Sequence, residues 1–380
     1  MIAARCGDVH VLIRERSVVS QPILLSLVNG PWQALSLVAT LRSRKGELPT
    51  EVVALLVDMV HGSAFHAATT RILQSHGVVQ LYTIPASVSL GKLPSTLAQL
   101  HGEGLRMEHV RWIATYGMHR PVARYLLNVL PKARVLIYEE GLRAYVPPNT
   151  SLRDRLRMKL ARAWGIVDRD FGLGWTPPRA WSEAEYSLLL SDRLPLPAAT
   201  QKARTHFVPT EHLQAAIATL PAPTVRDLPA RPYALIIGQY YARLKQMSPQ
   251  VELETYVASA RAILARGHVP IWKGHARERD DLFLALRERC AEVRNFSDFV
   301  DDASLPVELY RDFFGARCAA AISLSSSALF YIARLHGIPT FTLLTEPMLR
   351  RMRHPHVDAC RLAREHVSPF SQSIYDTRPD

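Results

Sequence analysis

Ala319-Ala-Ala-Ile-Ser323-Leu324-Ser325-Ser326-Ser327-Ala328-Leu329 reads as a strand that runs into a helix through hydroxyl side chains. Ala319–Ser323 is a short apolar run, and Ser326–Leu335 has helical spacing. Gly337 closes that helix, and Thr340–Leu344 supplies the next apolar run. Strand, helix and strand at this spacing make a βαβ unit, whose crossover sets the two strands parallel in one sheet.

The same alternation extends upstream. Ala234–Gly238 reads as a strand, and Val251–Arg266 as a helix closed by Gly267. Val269–Lys273 reads as a strand, Asp280–Cys290 as a helix, and Leu305–Phe314 as a helix with Pro306 at its start. In the first half the strands are Ile23–Val28, Val52–Val57, Val78–Thr83, Arg111–Thr115 and Val135–Tyr138. Trp32–Arg42, Ala67–His76 and Pro121–Leu130 are the helical patterns between them. Between the halves, Asn149–Trp164 reads as a basic helix, Trp175–Trp181 and Leu194–Thr200 as irregular, and Pro221–Pro232 as a linker.

The fold class expected is α/β, with two Rossmann-like domains whose parallel sheets face a central cleft. The domains expected are 1–225, with a basic helical insertion at about 149–200, and 226–350. A tail at 351–380 is expected to form a helix packing back on the N-terminal domain. Ligands of open α/β sheets sit at the carboxyl ends of strands, so polar groups just after a strand are the candidates for function.

The 380 residues are 48% hydrophobic and 21% charged, enough to bury two cores, which excludes a disordered chain. No apolar stretch approaches the ~20 residues of a spanning helix. The N-terminus lacks the apolar core of a secretory signal. Cys6, Cys290, Cys318 and Cys360 are far apart and form no CxxC pair, which points to neither a zinc site nor a disulfide framework. The expected location is cytoplasmic, with the inner membrane face as a peripheral site. Net charge is +12, which suits an anionic membrane or an acidic glycan, or is a basic surface with no special partner. No nucleic-acid motif is present, so nucleic acid is not an expected partner.

Three constellations follow strands. Val135-Leu-Ile-Tyr-Glu139-Glu140-Gly141-Leu-Arg143-Ala-Tyr145 delivers two adjacent carboxylates and a glycine for a tight turn. Such a carboxylate is either a proton acceptor for a sugar hydroxyl or part of an ordinary acidic loop. Val269-Pro-Ile-Trp-Lys273-Gly274-His275-Ala276-Arg277 ends in cations that either meet an anionic group or form a solvated loop. Ser325, Ser326 and Ser327 lie at a helix start, where hydroxyls and free N–H groups cap the helix or cradle a phosphate. Asp168-Arg169-Asp170 lies in an irregular basic region, and His354-Pro355 reads as surface. HExxH, GxSxG and strand–GxGxxG–helix patterns are absent, which removes zinc hydrolase, serine hydrolase and dinucleotide readings.

Taken in order, these motifs resemble those of the bacterial sialyltransferases and capsule polysialyltransferases. Those families share an acidic pair followed by glycine, a His-Pro motif and a Ser/Thr pair, matched here by Glu139-Glu140-Gly141, His275-Ala276 and Ser326-Ser327. Gly30-Pro31-Trp32-Gln33, Ile237-Gly238-Gln239 and Leu305-Pro306-Val307-Glu308 add to the likeness, which spans about Ile23 to Leu344. Ala276 stands where the family has proline, so the loop loses a fixed φ.

The resemblance implies a GT-B architecture and an inverting, metal-independent transfer of sialic acid, or a related nonulosonic acid, from a CMP donor to a glycan acceptor in capsule or lipopolysaccharide synthesis. It implies no cofactor. Glu139 is the implied base, with Glu140 its neighbour and His275 the third catalytic group. Gly238, Gln239, Lys273, His275, Glu308, Ser325, Ser326 and Ser327 are the implied donor-binding residues, and Gln33, Gly141 and Arg143 line the acceptor side. A CMP-Kdo transferase and a non-catalytic nucleotide- or glycan-binding protein are the alternatives. Leu152, Leu156, Leu160 and Trp164 form one face of the basic helix, with Arg153, Arg157, Lys159 and Arg162 mostly elsewhere. That face packs on the first domain, lies on an anionic membrane or meets an acidic, lipid-linked acceptor.

Overall fold

The computed structural model describes residues 2–6, 9–13, 21–59, 63–78, 80–85, 88, 90–117, 121–139, 141–145, 156, 160, 184–190, 194, 204–275, 281–352 and 357–369. They form two compact units, Met1–Leu220 and Pro221–Asp380.

In the first unit, β1 (Ile2–Cys6) and β2 (Val9–Ile13) make an antiparallel hairpin. Then β3 (Ile23–Val28), α1 (Pro31–Ser43), β4 (Glu51–Met59), α2 (Ala64–Ser75), β5 (Gln80–Pro85), α3 (Leu93–Gly102), β6 (Val110–Thr115), α4 (Pro121–Val129) and β7 (Arg134–Tyr138) alternate. β8 (Glu185–Leu188), β9 (Arg204–Phe207) and α5 (Thr210–Ala218) complete the unit. The sheet order is β1-β2-β5-β4-β3-β6-β7-β8-β9. From β5 to β9 every neighbouring pair is parallel. Strand order reverses between β3 and β6, the position where such sheets take ligands.

β3 is buried along its whole length, as a central parallel strand requires. α1 starts at Gly30 with Pro31 in its first turn, where a missing N–H costs nothing. Gly30 also permits close packing, since a Cβ there would meet the Phe65 ring at 2.7 Å.

β8 and β9 are not among the strands read from the sequence. β8 opens with Glu185, a residue that argues against a buried strand. The charge is tolerated because Arg44 Nη2 donates to Glu185 at 2.6 Å and Arg134 donates to the other carboxylate oxygen. Arg134 stacks on Trp112 at 4.0 Å. Burial alone would raise the Glu185 carboxyl, but the two arginines hold it below its ordinary value.

The second unit holds β10 (Tyr233–Ile237), α6 (Pro249–Ala265), β11 (Val269–Lys273), α7 (Asp281–Arg289), β12 (Arg294–Asn295), β13 (Cys318–Ser323), α8 (Ala328–His336), β14 (Thr340–Thr342), α9 (Glu346–Arg351), α10 (Val357–His366) and β15 (Ser368–Pro369). The order is β12-β11-β10-β13-β14-β15, all parallel, and the reversal falls between β10 and β13. α6 begins with Ser248, whose hydroxyl accepts from the Val251 N–H. α8 ends at Gly337 with φ +69°, the left-handed cap that glycine adopts without strain.

Two expectations are corrected. Leu305–Phe314 is not one helix but two short 3₁₀ turns, Val307–Leu309 and Arg311–Phe314. Leu305, Val307, Glu308, Leu309, Tyr310, Phe313 and Phe314 are all buried, and together they would occupy every side of an α-helix rather than one face. The Pro221–Pro232 stretch belongs to the second unit: Val225 bridges Val300, and the Arg226 N–H donates to the Phe299 carbonyl at 2.9 Å. Residues 357–369 of the tail add to the second unit. β15 extends the second sheet beside β14, and Val357, Cys360, Ala363 and Val367 are buried at helical spacing. Among the described residues no helix is long and apolar enough to cross a membrane.

Candidate functional site

The first unit brings the acidic turn to the carboxyl end of β7. Gly141 has φ +118°, so the turn there depends on glycine. Glu139 is 0% exposed. Its Oε2 accepts from the Tyr145 hydroxyl at 2.5 Å, from the Leu190 N–H at 3.1 Å and from the Leu189 N–H. The Leu190 N–H also reaches the Tyr145 hydroxyl oxygen at 2.8 Å. Glu139 therefore ties the turn after β7 to the turn after β8. Acting as a base requires the acceptor to gain access to it, whereas anchoring the turn requires no change. Glu140 lies outside the described residues, as do Asp168-Arg169-Asp170 and His354-Pro355. Arg143 sits in the 3₁₀ turn Leu142–Tyr145, and Gln33 is half-buried in the first turn of α1.

The second unit gathers its motifs at the carboxyl ends of β11, β10 and β13. The Gly238 N–H donates to the Lys273 carbonyl at 2.8 Å, and the Gln239 N–H to the Tyr256 hydroxyl at 2.9 Å. Gln239 Nε2 turns back to the Gly238 carbonyl at 3.1 Å. The Tyr240 ring packs on the His275 ring with centroids 4.3 Å apart. The next residue, Tyr241, touches Ser325 through its hydroxyl. Adjacent tyrosines thus join the histidine turn to the serine turn across the point where strand order reverses.

The three serines have different surroundings. Ser325 is buried and bonded inside the unit. Ser326 and Ser327 are half-buried at the start of α8, and Ser326 Oγ accepts from the Ala328 N–H at 3.2 Å. Lys273 also differs from its expected part. Its Nζ donates to the Ala303 carbonyl at 2.9 Å and lies over the Phe296 ring, so it holds the site's own chain. Hydroxyls, N–H groups and an imidazole here offer donors for an anionic group, which is the chemistry a nucleotide phosphate needs.

The sequence profile of the alpha-2,8-polysialyltransferase (POLYST) family matches residues 24–345. The chain belongs to the alpha-2,8-polysialyltransferase family. No curated protein matches it. Among solved structures, the glycotransferase of kitacinnamycin is 13% identical over 93% of this chain and 87% of its own, with a TM-score of 0.47. The glycosyltransferase SnogD from Streptomyces nogalater is 13% identical over 92% and 96%, at 0.42. Methanocaldococcus jannaschii UDP-GlcNAc 2-epimerase, in complex with UDP-GlcNAc and UDP, is 12% identical over 84% and 83%, at 0.44. The family assignment rests on the sequence match.

As a member of the polysialyltransferase family the chain is a sialyltransferase-type glycosyltransferase, with a nucleotide-sugar donor and a glycan acceptor. Tyr145, Tyr240, Tyr241, Glu252, Tyr256 and Cys360 were not singled out from the sequence. The Tyr240-Tyr241 pair just after Gly238-Gln239 was the one available signal, because aromatics after a strand end at a ligand edge. The others carry no local mark.

Glu308 of this polysialyltransferase-family chain is 5% exposed, and burial pushes its carboxyl up to about 7 against the pull of Lys273. His336 Nε2 lies 3.0 Å from the Glu308 carbonyl oxygen. Between the ordinary 4.5 and about 7 the folded protein holds a proton that the unfolded chain has lost. Stability contributed at this site therefore falls as pH rises through that window. Burial lowers Lys273 to about 8 from 10.5, so its own window lies higher. Melting temperatures of wild type and Glu308→Gln at several pH values test this. The wild type should lose ground relative to the variant as pH rises through the Glu308 window, and parallel curves would refute the assignment.

Proposed function

We propose that the chain transfers sialic acid, or a related nonulosonic acid, from a CMP donor to a glycan acceptor, with inversion and without a metal. The observation that supports the donor site is the Tyr240-Tyr241 pair, which joins His275 to the serine turn at the carboxyl ends of three neighbouring strands. His275, Ser326, Ser327 and the N–H groups at the start of α8 receive the CMP phosphate. Glu308 and Gln239 are assigned to the nucleoside. The acidic pair Glu139-Glu140 supplies the base that takes the acceptor proton.

CMP leaves as a monophosphate and carries less charge than a diphosphate, so hydrogen-bond donors suffice to stabilise it. The sugar centre passes through an oxocarbenium-like state, which lowers the demand on the nucleophile. Transfer is expected to persist in excess EDTA and to be unchanged by added magnesium or manganese. Loss in chelator with rescue by either ion would return Asp168-Arg169-Asp170 to candidacy. The deciding experiment for the function is CMP release from a panel of CMP-sugars with and without acceptor. Release from CMP-Kdo alone would reassign the donor, and no release from any would leave a binding protein.

The membrane reading of the basic helix gains support from Leu156 and Leu160. They are helical, 59% and 43% exposed, so these positions of the apolar stripe remain open to solvent. An anionic bilayer fits that stripe and the arginines around it, at about 1 kcal/mol per basic residue near the surface. Co-sedimentation with anionic vesicles should fall steeply as salt rises and should drop for an Arg153, Arg157 and Arg162 charge-reversed variant. Equal pelleting of that variant would remove the helix as the contact.

A further inference from the structure

We infer that Tyr241 and Cys360 are positioning residues for the donor site. With Ser325 they form a closed ring of buried hydrogen-bonding groups that fixes the serine turn and makes helix α10 part of its support. The inference rests on the donor-site reading above.

The geometry carries it. The Tyr241 hydroxyl bonds Ser325 Oγ, and Cys360 Sγ lies 3.2 Å from the Tyr241 hydroxyl and 3.4 Å from Ser325 Oγ. Each group donates one hydrogen and accepts another, so three members with three mutual contacts satisfy one another without water. All three are buried, and Tyr241 and Cys360 lie within the apolar core of the second unit. Burial raises both the Tyr241 phenol and the Cys360 thiol, so each keeps its proton for the ring.

Three polar groups converging in an apolar core call for an explanation beyond stability, because apolar residues of like shape would fill the space at no cost in unpaired donors. The ring instead specifies where Ser325 sits. Its far members are themselves fixed. The Tyr241 N–H donates to Glu252 Oε1 at 3.0 Å and the Ala242 N–H to Oε2 at 2.8 Å, so one buried carboxylate of α6 clamps the turn after β10. Cys360 is held by the buried face of α10. Before the ring, Ser323 Oγ donates to the Ile237 carbonyl at 2.8 Å, and after it the chain enters α8. Ser326 and Ser327, which follow Ser325 directly, inherit the position it sets.

The test compares Tyr241→Phe, Cys360→Ala and Cys360→Ser. Removing one member should weaken CMP binding by roughly five- to tenfold. Donor KM should move more than kcat, because the turn holds the donor and does not touch the acceptor proton. Cys360→Ser keeps a donor and acceptor at the site and should return affinity to within about twofold of wild type. Hydrogen exchange gives a readout independent of CMP: amides of residues 324–329 should exchange faster in Tyr241→Phe and Cys360→Ala. A residue that merely stabilises the unit would lower the melting temperature and leave CMP affinity of the folded protein unchanged. That result overturns the inference, as does a Cys360→Ser variant no better than Cys360→Ala. Should Tyr241→Phe fail to fold, the two Cys360 variants decide alone. If the wild type binds no CMP, the donor reading fails, and unaltered exchange at 324–329 then overturns the ring as well.

Discussion

Glu139→Gln is expected to lower transfer by roughly two to four orders of magnitude while CMP binding survives. The amide cannot take the acceptor proton, and it cannot give its neighbours a charge. Those neighbours matter here. The Tyr145 hydroxyl and the N–H groups of Leu189 and Leu190 all converge on one oxygen of Glu139. Bonds to an ionised acceptor are about twice as strong as neutral ones, so the variant also loosens the turn after β8. Two sources of loss are therefore superposed, and they separate by measurement. A lost base removes the acidic limb of the kcat/KM profile and leaves the melting temperature close to wild type. A lost anchor lowers the melting temperature and leaves the limb in place. Glu140→Gln is the companion experiment. If it alone gives the large loss, Glu140 is the base and Glu139 the anchor, which accords with the full burial of Glu139. Wild-type turnover in both folded variants would remove the acidic pair from the chemistry.

His275→Ala should weaken CMP binding by about 1–3 kcal/mol, roughly 5- to 150-fold, with Ser326→Ala and Ser327→Ala milder. His275 lies two residues after the end of β11 and packs on the Tyr240 ring, which limits the orientations open to the imidazole. The serines are second in rank because each shares the phosphate with N–H groups at the start of α8 that remain after truncation. Calorimetry with CMP reads all three. Unchanged affinity throughout would place the phosphate elsewhere. A loss in His275→Ala that Tyr240→Ala repeats in part would show that the ring contact orients the histidine.

What the sequence determined by itself was local. Ile23–Val28 and Val269–Lys273 are strands over the residues read from their apolar runs, because a short run bounded by turn residues has one inexpensive conformation in a parallel sheet. The glycine turn at Gly141 and the closure of a helix by Gly337 follow from backbone sterics, which each residue carries with it. The order of the acidic, histidine and serine motifs, each just after a strand, carries the resemblance to the family that the profile match shows.

Tertiary structure decided whatever depends on residues far apart in the chain. Glu185 reads as a poor strand residue until Arg44 and Arg134 are beside it. Glu139 reads as an open carboxylate until Leu189 and Leu190 close over it. Lys273 and Ser325 read as anion ligands, yet each is turned inward by a partner many residues away, Ala303 for one and Tyr241 for the other. The tail at 357–369 carried an apolar helical face, but a face does not name what it covers, and the second sheet had an open edge at β14. Periodicity and steric preference act over a few residues and are written locally. The burial of a charge, the satisfaction of a hydroxyl and the choice of which surface a helix covers are settled only when the chain has brought distant groups within hydrogen-bond reach.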